Sequence, residues 1–163
     1  MKRIKFLTVV LVAVMILAAC QPAGETTAPE VEPEGETSAT GLEVCEQDRY
    51  GCAKIEPGQT IKIGMGSPMT GGDASFGIDA EQSGKIAVAD AEPIHGFAFE
   101  LVAQDDTGTA EGGAAVANKL VADPTVVGVA GHLFSGATFA AMPIYEEVGI
   151  PMLSPSATNP DLT

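Results

Sequence analysis

The chain has 163 residues, enough for one domain, with 8 basic residues against 22 acidic ones and a formal net charge of −14. Such a balance repels phosphate backbones, and with no Trp, two Tyr and six Phe there is no aromatic stacking surface either, so a nucleic-acid partner is excluded. His95 and His132 stand far apart with no Cys between them, which excludes a structural zinc site.

The first 19 residues carry Lys2, Arg3 and Lys5, then an apolar stretch from Phe6 to Ala19 broken only by Thr8. This is the pattern of an export signal, residues 1–19, and its apolar stretch is short for a membrane span of ~20 residues. A short retained membrane anchor is the alternative. Leu17-Ala18-Ala19-Cys20 resembles the lipobox of bacterial lipoproteins, which implies cleavage before Cys20 and acylation of that residue. Without the signal, five basic residues face 22 acids, for a net charge of −17. Residues 20–44 hold the lipidated Cys and a stretch rich in Pro, Thr, Gly and Glu, with six acids and no base, read as a disordered tether. As a coil it would span about 25–30 Å. Cys45 and Cys52 enclose six residues, and in an exported chain they are expected to pair, closing a small hairpin over residues 45–59.

From Thr60 the pattern alternates. TIKIGMGS reads as a strand, followed by a helix over about Ala74 to Glu92 whose small residues Ala80, Gly84, Ala87, Val88 and Ala91 recur every three or four positions. FAFELVAQ is a second strand. The turn Asp105-Asp106-Thr107-Gly108-Thr109 leads into a helix with Val116, Ala117, Leu120 and Val121 on one face, stopped by Asp123-Pro124. TVVGVAGH, apolar on both faces, suits a parallel sheet covered on each side. Ser135 to Val148 is the third helical segment, with Gly149 placed as its C-terminal cap. Pro143 leaves two choices: a helix from Ser135 carrying an internal proline, or one starting near Ala141. IPMLS is a fourth strand, and the chain ends at Thr163 after one more loop.

This order defines an α/β fold with a doubly wound, mostly parallel sheet, read here as the first part of a longer protein. In such sheets ligands bind at the carboxyl ends of the strands. Here those ends are Gly66–Phe76, Gln104–Thr109, His132–Ser135 and Ser154–Thr158. A dinucleotide fingerprint fails, because Gly64-Met65-Gly66-Ser67-Pro68-Met69 lacks the third glycine. A nucleophile elbow fails too, since Leu133-Phe134-Ser135-Gly136 lacks the first. For Asp105 and Asp106 the plain reading is turn and helix-start chemistry, and for His132 a strand-end residue bonded to backbone. Ser135 offers a hydroxyl at a helix start, where free amides and the positive end of the dipole suit a carboxylate. Ser156, Ala157 and Thr158 bring two more hydroxyls and further amides past the next strand. Two such clusters at neighbouring strand ends point to a binding site more than to simple capping.

IKIGMGSPMTGGDASFG, AVANKLV, GHLFSGAT and PIYEEVGIPMLSPSATNPDLT, with their spacing, resemble the first lobe of the branched-chain amino acid binding proteins. These are type 1 periplasmic binding proteins that serve ABC importers. The likeness runs over about Ile61 to Thr163, making residues 60–163 a partial N-terminal lobe. It implies two α/β lobes closing on an amino acid or related solute, with no cofactor, no chemistry on the ligand and an ABC permease as partner. It implies further that Ser135 and Thr158 hold the ligand carboxylate, that the Ser156 backbone and the Thr158 hydroxyl meet the ammonium, and that Phe76 walls the side-chain pocket. Where some relatives carry a disulfide, this chain has Gly108 and Phe134; the family's acidic partner for the ammonium lies in the second lobe. The location implied is the cell envelope, at the outer face of the cytoplasmic membrane or in the periplasm. A ligand-sensing ectodomain of the same fold, or a hydrolase-like enzyme, is the alternative.

Overall fold

The computed structural model describes residues 41–162. The export signal, the lipidation of Cys20 and the tether as far as residue 40 lie outside the described residues. Among the described residues no helix is long and apolar enough to cross a membrane.

The first element, α1 (Gly41–Gln47), replaces the end of the expected tether, and no strand forms over residues 45–59. Leu42, Glu43, Glu46 and Gln47 are good helix formers. The chain reverses after them on Asp48, whose carboxylate accepts the Tyr50 amide at 2.8 Å while its carbonyl takes the Gly51 amide. That reversal brings the Cys45 and Cys52 Cα atoms to 5.1 Å, and the disulfide closes a helix and turn instead of a hairpin.

Four parallel strands follow: β1 (Ile61–Ser67), β2 (Phe99–Asp105), β3 (Val126–Ala130) and the two-residue β4 (Met152–Leu153), in the order β2-β1-β3-β4. The order reverses direction between β1 and β3, so the switch point lies at their carboxyl ends. β4 is shorter than IPMLS suggests because Pro151 donates no amide and serves only as acceptor for Val129.

Of the connecting helices, α2 (Ala74–Asp90) covers one face of the sheet, while α3 (Ala110–Val121) and α4 (Ser135–Val148) pack together over the other. The expected stripe holds, with Gly84, Ala87, Val88 and Ala91 facing Ile63, Phe99 and Leu101 of the sheet. On the opposite face Val116, Ala117, Leu120, Val126, Val129, Ala141 and Tyr145 form the core, Leu120 being 1% exposed. Thr109 caps α3 by accepting the Gly112 amide at 3.0 Å. Helix α4 starts at Ser135 and runs through Pro143, which is exposed, so the missing hydrogen bond falls on the solvent side. Gly149 ends it at φ 74°, a conformation that a side chain would strain.

At the amino ends of the strands, Lys62 Nζ lies 2.7 Å from Asp123 Oδ2, and the Thr125 hydroxyl and amide donate to Asp123 Oδ1 at 2.6 and 3.0 Å. The hydrogen bond from Lys62, then those from Thr125, hold the Asp123 carboxyl down at about 2. A folded-state value below the unfolded one stabilises the protein above the unfolded value near 3.8, and that contribution is lost as pH falls toward 2. Asp123→Asn should therefore cost about 1 kcal/mol at neutral pH, the partial exposure screening the pair. In urea titrations the gap between the two proteins should narrow from pH 5 to pH 2; a constant gap would remove the ion pair as its cause.

Candidate ligand-binding site at the strand ends

At the carboxyl ends of the strands the loops are tied to one another by side chains. Past β2, Asp105 accepts the amides of Met69 and Thr107 at 2.8 and 2.9 Å and the Thr70 hydroxyl at 2.5 Å, fixing the loop after β1. Partial burial works against its charge, but these donors outweigh it and hold the carboxyl below its ordinary value. The turn reading thus describes Asp105 well.

Asp106 and His132 do more than that reading allows. Both are wholly buried, with Asp106 Oδ2 2.6 Å from His132 Nδ1 and Oδ1 accepting the Gly108 amide at 2.8 Å. His132 Nε2 lies 3.1 Å from the Tyr145 hydroxyl, itself 1% exposed. Burial, and after it the charge of Asp106, push the Tyr145 phenol up, so it keeps its proton. Every donor and acceptor is then used if His132 carries its hydrogen on Nδ1, facing Asp106, and accepts the Tyr145 O–H on Nε2. With both ring nitrogens engaged, the imidazole cannot serve Ser135 as a base.

The His132 carbonyl accepts two hydroxyls, from Thr138 at 3.1 Å and Ser154 at 2.6 Å. Ser154 Oγ in turn takes the Ala157 amide at 2.9 Å and the Ser156 amide at 3.4 Å. Ser156 Oγ donates to the Leu133 carbonyl at 2.7 Å, and the Asn159 amide donates to Ser135 Oγ at 3.3 Å. The cluster at Ser135 and the cluster at Ser156–Thr158 therefore meet, and the Ser135 hydroxyl keeps its own hydrogen to give. Helix α4 has no side-chain cap at its amino end.

Phe76 and Ser156 share a cleft of about 410 Å³ with Asp79, Ala80, Leu133, Phe134 and Pro155. Phe76 is 60% exposed on its wall. Ser135, Ala157 and Thr158 do not line this cleft; they stand next to it along the chain. The whole arrangement is an apolar recess bordered by hydroxyls, amides and an uncapped helix end, with no Lys or Arg among the lining residues.

Sequence reading missed Asp106, Tyr145 and Ser154. The available signal was Gly64-x-Gly66 on the central strand: β1 separates β2 from β3, and a Cβ on Gly66 would overlap the His132 imidazole. Glycine there lets residues past the two flanking strands touch over the end of the central one.

A doubly wound parallel sheet with a recess at its carboxyl ends defines the fold class of this chain. Residues 60–163 match the sequence model of the family described as periplasmic binding protein, and the chain belongs to that family. It is 38% identical over 119 residues to the Leu/Ile/Val-binding protein homolog 2 of Brucella abortus (strain 2308), covering 69% of this chain and 32% of that protein. The chain thus spans about a third of the length of the curated relatives it matches. The branched-chain amino acid transporter substrate binding protein LivJ of Streptococcus pneumoniae, solved with isoleucine, superposes with a TM-score of 0.60 at 34% identity, over 64% of this chain and 31% of LivJ. A solute binding protein of an ABC transporter from Rhodopseudomonas palustris BisB5, solved with 3,4-dihydroxy benzoic acid, gives a TM-score of 0.58 at 26% identity, over 63% of this chain and 29% of that one.

Gly66→Ala should force the His132 ring out of its seat and leave Asp106 buried without its partner. The expected loss is more than about 3 kcal/mol of unfolding free energy in urea titrations; a loss below 1 kcal/mol would show that the ring has room to move.

Proposed function

We propose that this chain supplies the first lobe of an extracytoplasmic solute-binding protein of an ABC importer, which captures a branched-chain amino acid or a related solute and passes it unchanged to a permease. Ser135 and Thr158, with the amides at the start of α4, receive the ligand carboxylate. The Ser156 backbone and the Thr158 hydroxyl meet the ammonium, and Phe76 and its neighbours wall the side chain. Acylated Cys20 holds the protein at the outer face of the membrane.

The observation that carries this reading is the division of the site into an uncapped helix end with a hydroxyl and an adjoining apolar cleft. Isoleucine and dihydroxybenzoate, the ligands of two similar proteins, differ in almost everything except a carboxylate joined to an apolar body. A helix end and a cleft of this kind suit that shared chemistry. His132, near Ser135 in sequence, has both ring nitrogens engaged and is not free to act as its base, which supports binding over hydrolysis.

Calorimetric titration of the whole secreted protein with isoleucine, leucine, valine and isoleucinamide tests the carboxylate seat. Isoleucinamide, which lacks the carboxylate, should not bind, and Ser135→Ala should weaken isoleucine roughly tenfold or more. Equal binding of the amide would move the ligand elsewhere. Labelling of cells with a radioactive fatty acid should mark the wild-type protein and not Cys20→Ser, and equal labelling of the two would remove acylation of Cys20 from this account.

A further inference from the structure

We infer that His132, clamped between Asp106 and Tyr145, is a positioning residue for the ligand site, setting the Ser156–Thr158 loop through its own carbonyl; the inference rests on the carboxylate seat proposed above.

The chain of contacts is continuous. Asp106, past β2, and Tyr145, in the third turn of α4, hold the imidazole from both sides, and all three groups are buried. A ring held at both nitrogens anchors the His132 Cα just past β3, the point from which the His132 carbonyl leaves. That carbonyl orients the Ser154 hydroxyl, whose oxygen then takes the Ala157 and Ser156 amides. The Thr138 hydroxyl, in the first turn of α4, lies 3.1 Å from the same carbonyl and 3.0 Å from the Phe134 carbonyl, so the start of α4 borders the same point. None of the three buried side chains lines the cleft. Their effect on a ligand has to pass through Ser154 and Thr138.

The test uses the full chain, with amide exchange followed by NMR and affinity for isoleucine by calorimetry. Asp106→Asn should change the ¹⁵N signature of the His132 ring, because a side-chain amide has a single accepting oxygen and cannot serve both Nδ1–H and the Gly108 amide. Exchange at Ala157 should speed up roughly tenfold while the Lys62 amide, at the far end of the sheet, keeps its protection. Ser154→Ala, which cuts the relay without touching the buried groups, should do the same, and both variants should weaken isoleucine roughly tenfold. A folded Asp106→Asn protein with an altered ring signature but wild-type exchange at Ala157 and wild-type affinity would overturn the inference. Should that variant not fold, Tyr145→Phe, which removes one hydroxyl, is read in the same way. If the wild-type protein binds none of the amino acids, the reading of the ligand falls, and exchange at Ala157 alone then decides: acceleration upholds the relay and unchanged exchange removes it.

Discussion

A buried carboxylate and a buried imidazole meet across the end of a strand that has no side chain in the way. Bringing Asp106 out of water is costly, and the structure offsets that cost only because His132 Nδ1 and the Gly108 amide both reach it. The pair spans β1, since Asp106 follows β2 and His132 follows β3. Gly66 is the condition for that span, because any Cβ there would occupy the space of the ring. The strand-end loops, the direction of the His132 carbonyl and the start of α4 all refer back to this contact. A parallel sheet ordinarily leaves its carboxyl-end loops to find their own places; here a polar cross-link over the central strand ties them to one another.

The two faces of the sheet are held unequally. Helices α3 and α4 bury Leu120, Val116, Ala141 and Tyr145 against it, whereas the only fully buried residue of α2 is Gly77. Small side chains let α2 lie close but give it little apolar area to lose on leaving, and hydrophobic stabilisation scales with that area. Local stability is therefore lower on the helix that carries Phe76 and Asp79 than on the one that begins with Ser135. Among the described residues, the cleft thus takes one wall from the loop leading into a well-buried helix and the other from a helix that buries little.

Local chemistry decided which features could be read in advance. The end of α4 at Gly149 follows from short-range signals, as does the pairing of Cys45 with Cys52, and the small-residue stripe of α2 foretold its packing, whereas Pro143 left the start of α4 open between Ser135 and Ala141. Residues 41–59 defeated the same approach: a Pro- and Glu-rich stretch passes without a compositional break into a helix, and two cysteines seven positions apart say nothing about the conformation between them. The clusters at Ser135 and Ser156–Thr158 were legible because each is contiguous. Asp106, Tyr145 and Ser154 were not, since their meaning lies in contacts 26, 13 and 22 residues from His132, which only the sheet order brings about.

The charge of the molecule bears on what this seat can hold. The five basic residues from Arg49 onward have their own partners: Lys54 with Glu56, Lys62 with Asp123, Lys85 with Glu81, Lys119 with Gln104, and Arg49 over the Tyr50 ring. Among the described residues, a carboxylate at Ser135 would accordingly be met by dipoles and no free cation, in a chain of formal net charge −14 and near Asp79. A free anion approaches such a surface against a repulsive field, which salt screens over about 8–10 Å. A zwitterion carries no net charge and avoids most of that repulsion, and its ammonium gains from the same acidic surroundings.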